Sequence, residues 1–196
     1  IISKTRNASA QAWSVYHSNL GATKHKRLDT NAGQDTGTQY WADTEPTSTV
    51  FSVGTEGSTN RDATNFVHYL FANTANSSFF STGIFEGNGN VDGTFVYTGH
   101  QPAWIMIKWA DDAEGWSIYD TTRNPINGPN DGFFVLDAVN AENTNTEDLD
   151  VLSNGFKIRR APNRINKNNE NYIWWSFAKH PKVTSKDNGS IPGTAF

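Results

Sequence analysis

The chain has 196 residues, a net charge of −4 and no cysteine, so it is long enough for one large β-domain or two small ones and excludes disulfide and thiolate-metal frameworks. Its 16 Lys and Arg against 20 Asp and Glu form no basic stripe for nucleic acid, and no apolar run is long enough for a membrane-spanning helix. Hydrophobic residues reach only 36%, but seven Trp and twelve Phe supply core area that aliphatic residues do not.

In chain order, residues 1–4 read as a strand and 6–11 as a polar turn, and 13–17 alternate apolar and polar as a second strand. The basic run 24–27 reads as a solvated edge, where Lys discourages strand addition. A Gly/Asn/Asp/Thr loop covers 31–38, a strand 49–53, a loop 54–65, and an aromatic strand 66–72. The polar residues 73–78 read as a joint. A Gly- and Asn-dense stretch follows at 83–93, then strands at 94–98 and 103–109, an acidic hairpin turn at 111–115 and a strand at 116–120. Residues 133–136 read as a strand and 141–150 as an acidic loop or short helical turn. Asn154-Gly155 then turns the chain into strand 156–159, and 172–178 is the last strand. Beyond Pro181 the chain is polar and reads as an arm, disordered or docked on a neighbour.

The chain repeats itself. Trp13-Ser14-Val15-Tyr16 returns as Trp116-Ser117-Ile118-Tyr119, Phe51-Ser52-Val53 as Phe156-Lys157-Ile158, and Phe66-Val67-His68-Tyr69-Leu70-Phe71-Ala72 as Tyr172-Ile173-Trp174-Trp175-Ser176-Phe177-Ala178. Ile1-Ile2-Ser3-Lys4 lines up with Ile105-Met106-Ile107-Lys108. Four segments in one order at nearly constant spacing imply a duplicated unit, with a period too long for a solenoid. The expected architecture is an all-β antiparallel sandwich of jelly-roll or concanavalin-A-like type, with six or seven short strands per unit. Its expected parts are a first unit at 1–82, a second at 83–184 and a C-terminal arm at 185–196. Whether the units share one core is open, and both aromatic strands are expected to be buried on both faces near mid-sheet. A start inside a strand, without Met, reads as a fragment, a processed product or part of a longer repetitive protein.

The stretch Thr94-Phe95-Val96-Tyr97-Thr98-Gly99-His100-Gln101-Pro102-Ala103-Trp104-Ile105-Met106-Ile107-Lys108, with Trp116 to Asp120, Leu152 to Ile158 and Tyr172 to Ala178, resembles the repeat of a tailed-phage structural-protein family. That family is common in marine and cyanobacterial phages and is described as tail-fibre-like. The stretch from Gly83 to Gly93 resembles its Gly-Asn-Gly linker. The resemblance spans nearly the whole chain. It implies a virion component without catalytic residues: a tail-fibre, appendage or capsid-surface domain.

The residues themselves offer little chemistry. Glu147-Asp148-Leu149-Asp150 is the nearest approach to a glycosidase carboxylate array, but the third acid is missing, and it reads as a solvated acidic loop. Five scattered His have no metal-ligand spacing, and no cofactor is implied. Calcium is the metal that Asp92, or Asp111, Asp112 and Glu114, would suit through hard oxygens. Trp41, Trp109 and Trp174 are the aromatic platforms considered for a host-surface glycan. The expected partners are further copies of the chain, with a trimer as the form considered, and other virion proteins. The leading reading is a non-enzymatic virion protein that contributes to host adsorption. A carbohydrate-binding module is the alternative, and a glycoside hydrolase is less favoured.

Overall fold

A computed structural model describes residues 1–72, 79–123, 127, 132–144, 146–185 and 189–192, so the expected joint at 73–78 lies outside the described residues. The first half contributes β1 (Ile2–Thr5), β2 (Ser14–Val15), β3 (Lys24–Arg27), β4 (Asp35–Thr36), a helical turn α1 (Thr38–Trp41) and β5 (Phe66–Tyr69). The second half contributes β6 (Phe80–Glu86), β7 (Phe95–Tyr97), β8 (Pro102–Trp109), β9 (Ser117–Asp120), β10 (Phe134–Val135), β11 (Leu149–Leu152), β12 (Gly155–Ile158), a second helical turn α2 (Asn163–Asn166) and β13 (Asn171–Ala178). A hairpin of β14 (Lys182–Ser185) and β15 (Gly189–Pro192) stands where a polar arm was expected, and 186–188 and 193–196 lie outside the described residues. No helix among the described residues is long and apolar enough to cross a membrane.

The fold is an antiparallel β-sandwich in layers. One sheet runs β4-β3-β2-β1-β5, a second β10-β9-β8-β13-β6, and a third β11-β12-β7. The second sheet lies in the middle, and strand alternation sorts its side chains. Ile105, Ile107, Trp109, Tyr172 and Trp174 meet Val96, Leu149, Val151, Phe156 and Ile158 of the third sheet. Met106, Trp116, Ile173 and Trp175 meet Val15 and Ile2 of the first. Five aromatic or β-branched residues among its eight suit β13 to this doubly covered place. The outer face of the first sheet is closed by Tyr40, Trp41 and Val53 over Tyr16.

The pairing carries the sequence echo. Ile2, Ser3, Lys4 and Thr5 oppose Tyr69, His68, Val67 and Phe66. Their counterparts Met106, Ile107, Lys108 and Trp109 oppose Trp175, Trp174, Ile173 and Tyr172, the counterparts of the second set. Ile2 opposes Val15 as Met106 opposes Ile118. Lys4 Nζ donates to the Gln11 carbonyl and lies 5.4 Å from the Trp13 ring centre. Lys108 Nζ donates to the Glu114 carbonyl and lies 5.7 Å from that of Trp116. Phe51 meets His68 edge-on, as Phe156 meets Trp174.

Four expectations change. Residues 49–53 form no strand, although Phe51 and Val53 still pack over the first sheet, because their backbone finds no ladder there. The boundary after residue 82 falls inside β6, which is bonded to β13 along seven residue pairs. The basic run is no solvated edge: β3 sits between β2 and β4, and His25 and Lys26 are buried. Finally, of the two aromatic strands only β13 lies mid-sheet; β5 is outermost in its sheet and half-exposed, because among the described residues its sheet has no counterpart of β6.

Candidate interaction surface

The three tryptophans considered as sugar platforms are core residues. Trp41 ends α1 and packs edge-on against Tyr16. Trp109 lies between the second and third sheets, its Nε1 donating to Glu170 Oε2 at 3.2 Å, with Lys167 over its ring. Trp174 is sealed beneath Phe156. Strand alternation places Trp109 and Trp174 between layers and α1 presses Trp41 onto the first sheet, so none offers a flat face to a sugar.

The four acidic residues considered for calcium are held in other ways. Asp92 forms a 2.8 Å ion pair with Lys157, which lowers its pKa from the usual carboxylate value. Its loop is braced from within, as Asn88 and Asn90 side chains accept from the Asn90 and Asp92 amides. Asp111 accepts from Gln34 Nε2 at 2.6 Å, Asp112 accepts from the Ala113 amide, and Glu114 offers its carbonyl to Lys108. Among the described residues no three His, Cys, Asp or Glu side chains gather into a metal site.

The acidic segment that leads into β11 is solvated only at Glu147, and its two aspartates are drawn inward. Asp148 is buried, accepting from the Tyr119 hydroxyl at 2.9 Å and paired with Arg164, while Asp150 is paired with Arg159. The guanidinium of Arg164 also lies 4.0 Å from the Phe133 ring centre. Together these tie α2 and β11 to the central sheet. The acids sit in a row in the sequence, but their basic partners follow nine to sixteen residues later, so the pairing is tertiary. Arg164→Met removes the closer of the two guanidinium partners of a buried carboxylate, leaving Arg160 at 4.0 Å, and is expected to cost about 3 kcal/mol by urea denaturation. Adding Asp148→Asn, which removes the stranded charge, is expected to restore part of that loss.

Two groups of titratable residues escape the sequence pattern. His17 stacks on Trp175, accepts from the Asn19 amide at Nδ1 and meets Thr82 Oγ1 at 2.6 Å; Thr82 Oγ1 in turn donates to the Trp174 carbonyl. This chain keeps the imidazole neutral, with burial lowering its pKa to about 4. Between the first and second sheets, Lys26 is completely buried and its Nζ has no hydrogen-bond partner among the described residues. Burial, and then the neighbouring charge of Lys108, bring its pKa down to about 7. Lys108 is drawn down to about 8 by burial, with its Nζ held by the Asn31 and Glu114 carbonyls. A run read as a solvated basic edge thus contains a lysine aimed into the interlayer, because Lys26 shares the face of Val15.

The exposed feature that stands out is the β5 margin. Beyond Tyr69 the chain leaves the strand and continues through Leu70, Phe71 and Ala72, and Leu70 is 61% exposed. Phe71 touches Phe80 and Trp175, and Val50 and Phe79 are exposed in the same half of the molecule. Two clefts open here. One, of about 350 Å³, is lined by Tyr16, His17, Phe71, Trp175, Thr47 and Ser48. The other, of about 300 Å³, runs between residues 46–51 and 70–72. An apolar strand margin of this kind is a surface on which a macromolecular partner can dock.

Fold and surface together define a layered antiparallel β module with an open sheet margin. The chain belongs to the family described as a domain of unknown function (DUF7483), which matches residues 1–181. No curated protein and no solved structure matches it.

Proposed function

We propose that the chain is a non-enzymatic structural module of a bacteriophage virion, a tail-fibre, appendage or capsid-surface domain that assembles with copies of itself and with other virion proteins and contributes to host adsorption. The observation that carries this reading is the open β5 margin, with Leu70 and Phe71 exposed beside it, a surface that only another polypeptide covers well. The resemblance to the phage structural repeat supports the same reading, and the coincident strand registers support two related units.

A carbohydrate-binding module is the second reading. It is favoured by the larger cleft, where Phe71 and Trp175 stand beside the hydroxyls of Thr47 and Ser48. Sedimentation velocity and a glycan array on the purified chain separate the two. Self-association without sugar binding supports the structural role. Sugar binding by a monomer, lost on Ser48→Ala with Thr47→Val, replaces it with the lectin role. Release of reducing ends from polysaccharide would overturn both.

A further inference from the structure

The two matched strands differ in one respect. β13 lies between β8 and β6, whereas β5 pairs only with β1 among the described residues. The consequence shows in exposure: Tyr69 is 46% exposed and its counterpart Trp175 6%, and Leu70 is 61% exposed and its counterpart Ser176 0%. Edge strands are commonly blunted by Lys, Pro or a bulge. Phe66, Val67, His68, Tyr69, Leu70 and Phe71 include no Lys or Pro, and β1 and β5 pair without a register shift. The other margins of the first two sheets are blunter. β4 and β10 have two residues each, and β6 carries Gly83 and ends in Glu86.

The chain holds its own template for what covers such a margin. β6 runs antiparallel to β13, placing Phe80 opposite Phe177, Thr82 opposite Trp175, Gly83 opposite Trp174, Ile84 opposite Ile173 and Phe85 opposite Tyr172. Gly83 is fitted to that place, since a Cβ on it would lie 2.8 Å from the Trp174 ring. β6 is already committed to β13, so a strand for β5 must come from outside the described residues.

We propose that the open edge of β5 accepts a β6-like strand from a neighbouring copy of the same repeat, one not already paired with a β13 of its own, antiparallel and in the register of β6 on β13. An aromatic residue then falls opposite Phe71, a hydroxyl opposite Tyr69, a small residue opposite His68, an aliphatic opposite Val67 and an aromatic opposite Phe66. Main-chain hydrogen bonds supply the attachment, and the alternating side chains facing the interlayer supply the choice of partner. This rests on the structural-module reading and names the partner of that surface.

The test uses the full chain and a synthetic peptide of residues 78–88, with hydrogen exchange as readout. Binding with about tenfold or greater slowing of exchange at the amides of 66–70 is expected. Peptides N-methylated at alternate positions serve as controls that leave the protein untouched. The set methylated toward β5 is expected to lose binding, and the opposite set to retain it. No binding to a folded chain, or protection at β13 through displacement of the resident β6, overturns the proposal. So does self-pairing of two β5 edges without peptide. A chain that self-associates in sedimentation while 66–70 stay unprotected leaves the structural role standing and removes only this partner.

Discussion

Trp174→Ala is expected to destabilise the chain by about 3–5 kcal/mol, measured as a lowered urea midpoint with unchanged slope. The indole lies between the central and third sheets, with Phe156 edge-on at 6.1 Å between ring centres and the bare Gly83 opposite. Removing it opens a cavity that β6 is poorly placed to fill, because Gly83 has no side chain to move in. Its Nε1 is buried without a hydrogen-bond partner among the described residues, so the loss is one of packing and apolar burial. Against a typical total of about 5–15 kcal/mol, such a loss is a large fraction of folding stability. A sugar platform would behave oppositely, losing ligand while keeping its midpoint; that outcome would return Trp174 to the surface.

Lys26→Met is expected to stabilise the chain by about 1–4 kcal/mol at and below neutral pH. The folded lysine has a pKa of about 7 against 10.5 for a free side chain, chiefly through burial. Between those values the unfolded chain binds the proton that the folded chain has released, so wild-type stability rises with pH across that window. The penalty is complete below about pH 7 and is relieved as pH approaches 10.5. Met keeps the length of the side chain and removes the charge, so the variant should lead at pH 6 and lose its lead by pH 10. Lys108 contributes a slope of the same sign that persists in the variant, since its pKa is lowered to about 8. A Met variant less stable than wild type at pH 6 would mean that the ammonium has a partner that burial alone does not reveal.

Much of the architecture was legible in the sequence, because strand position follows local pattern. Alternation at Trp13 to His17, the aromatic run ending at Ala178 and the Asn154-Gly155 turn each mark an element whose cause lies within a few residues. The echo between halves was legible for the same reason, and the pairing of Ile2 with Tyr69 and of Met106 with Trp175 follows its alignment. What local pattern does not carry is the identity of the neighbour. Asp148 is acidic in either setting, and only Arg164 and Tyr119, brought in by other elements, make it a buried pair. Lys26 belongs to a run that reads as solvated, yet the face it shares with Val15 turns it inward. The misplaced sugar platforms have the same origin, since a tryptophan on a strand is compatible with a wet or a dry face until a second sheet is laid over it.

The sequence alone determined the β class, many of the strand positions and the echo between the two halves, because these depend on side-chain pattern along the chain. The tertiary structure decided that the two aromatic strands, so alike in residues, differ in place. β13 gains β6 on its free side and the third sheet over one face, while β5 keeps an open edge. The physical reason is that a strand's burial is set by how many neighbours complete its hydrogen-bond rows and cover its faces, and that number is a property of the assembly of elements rather than of the strand.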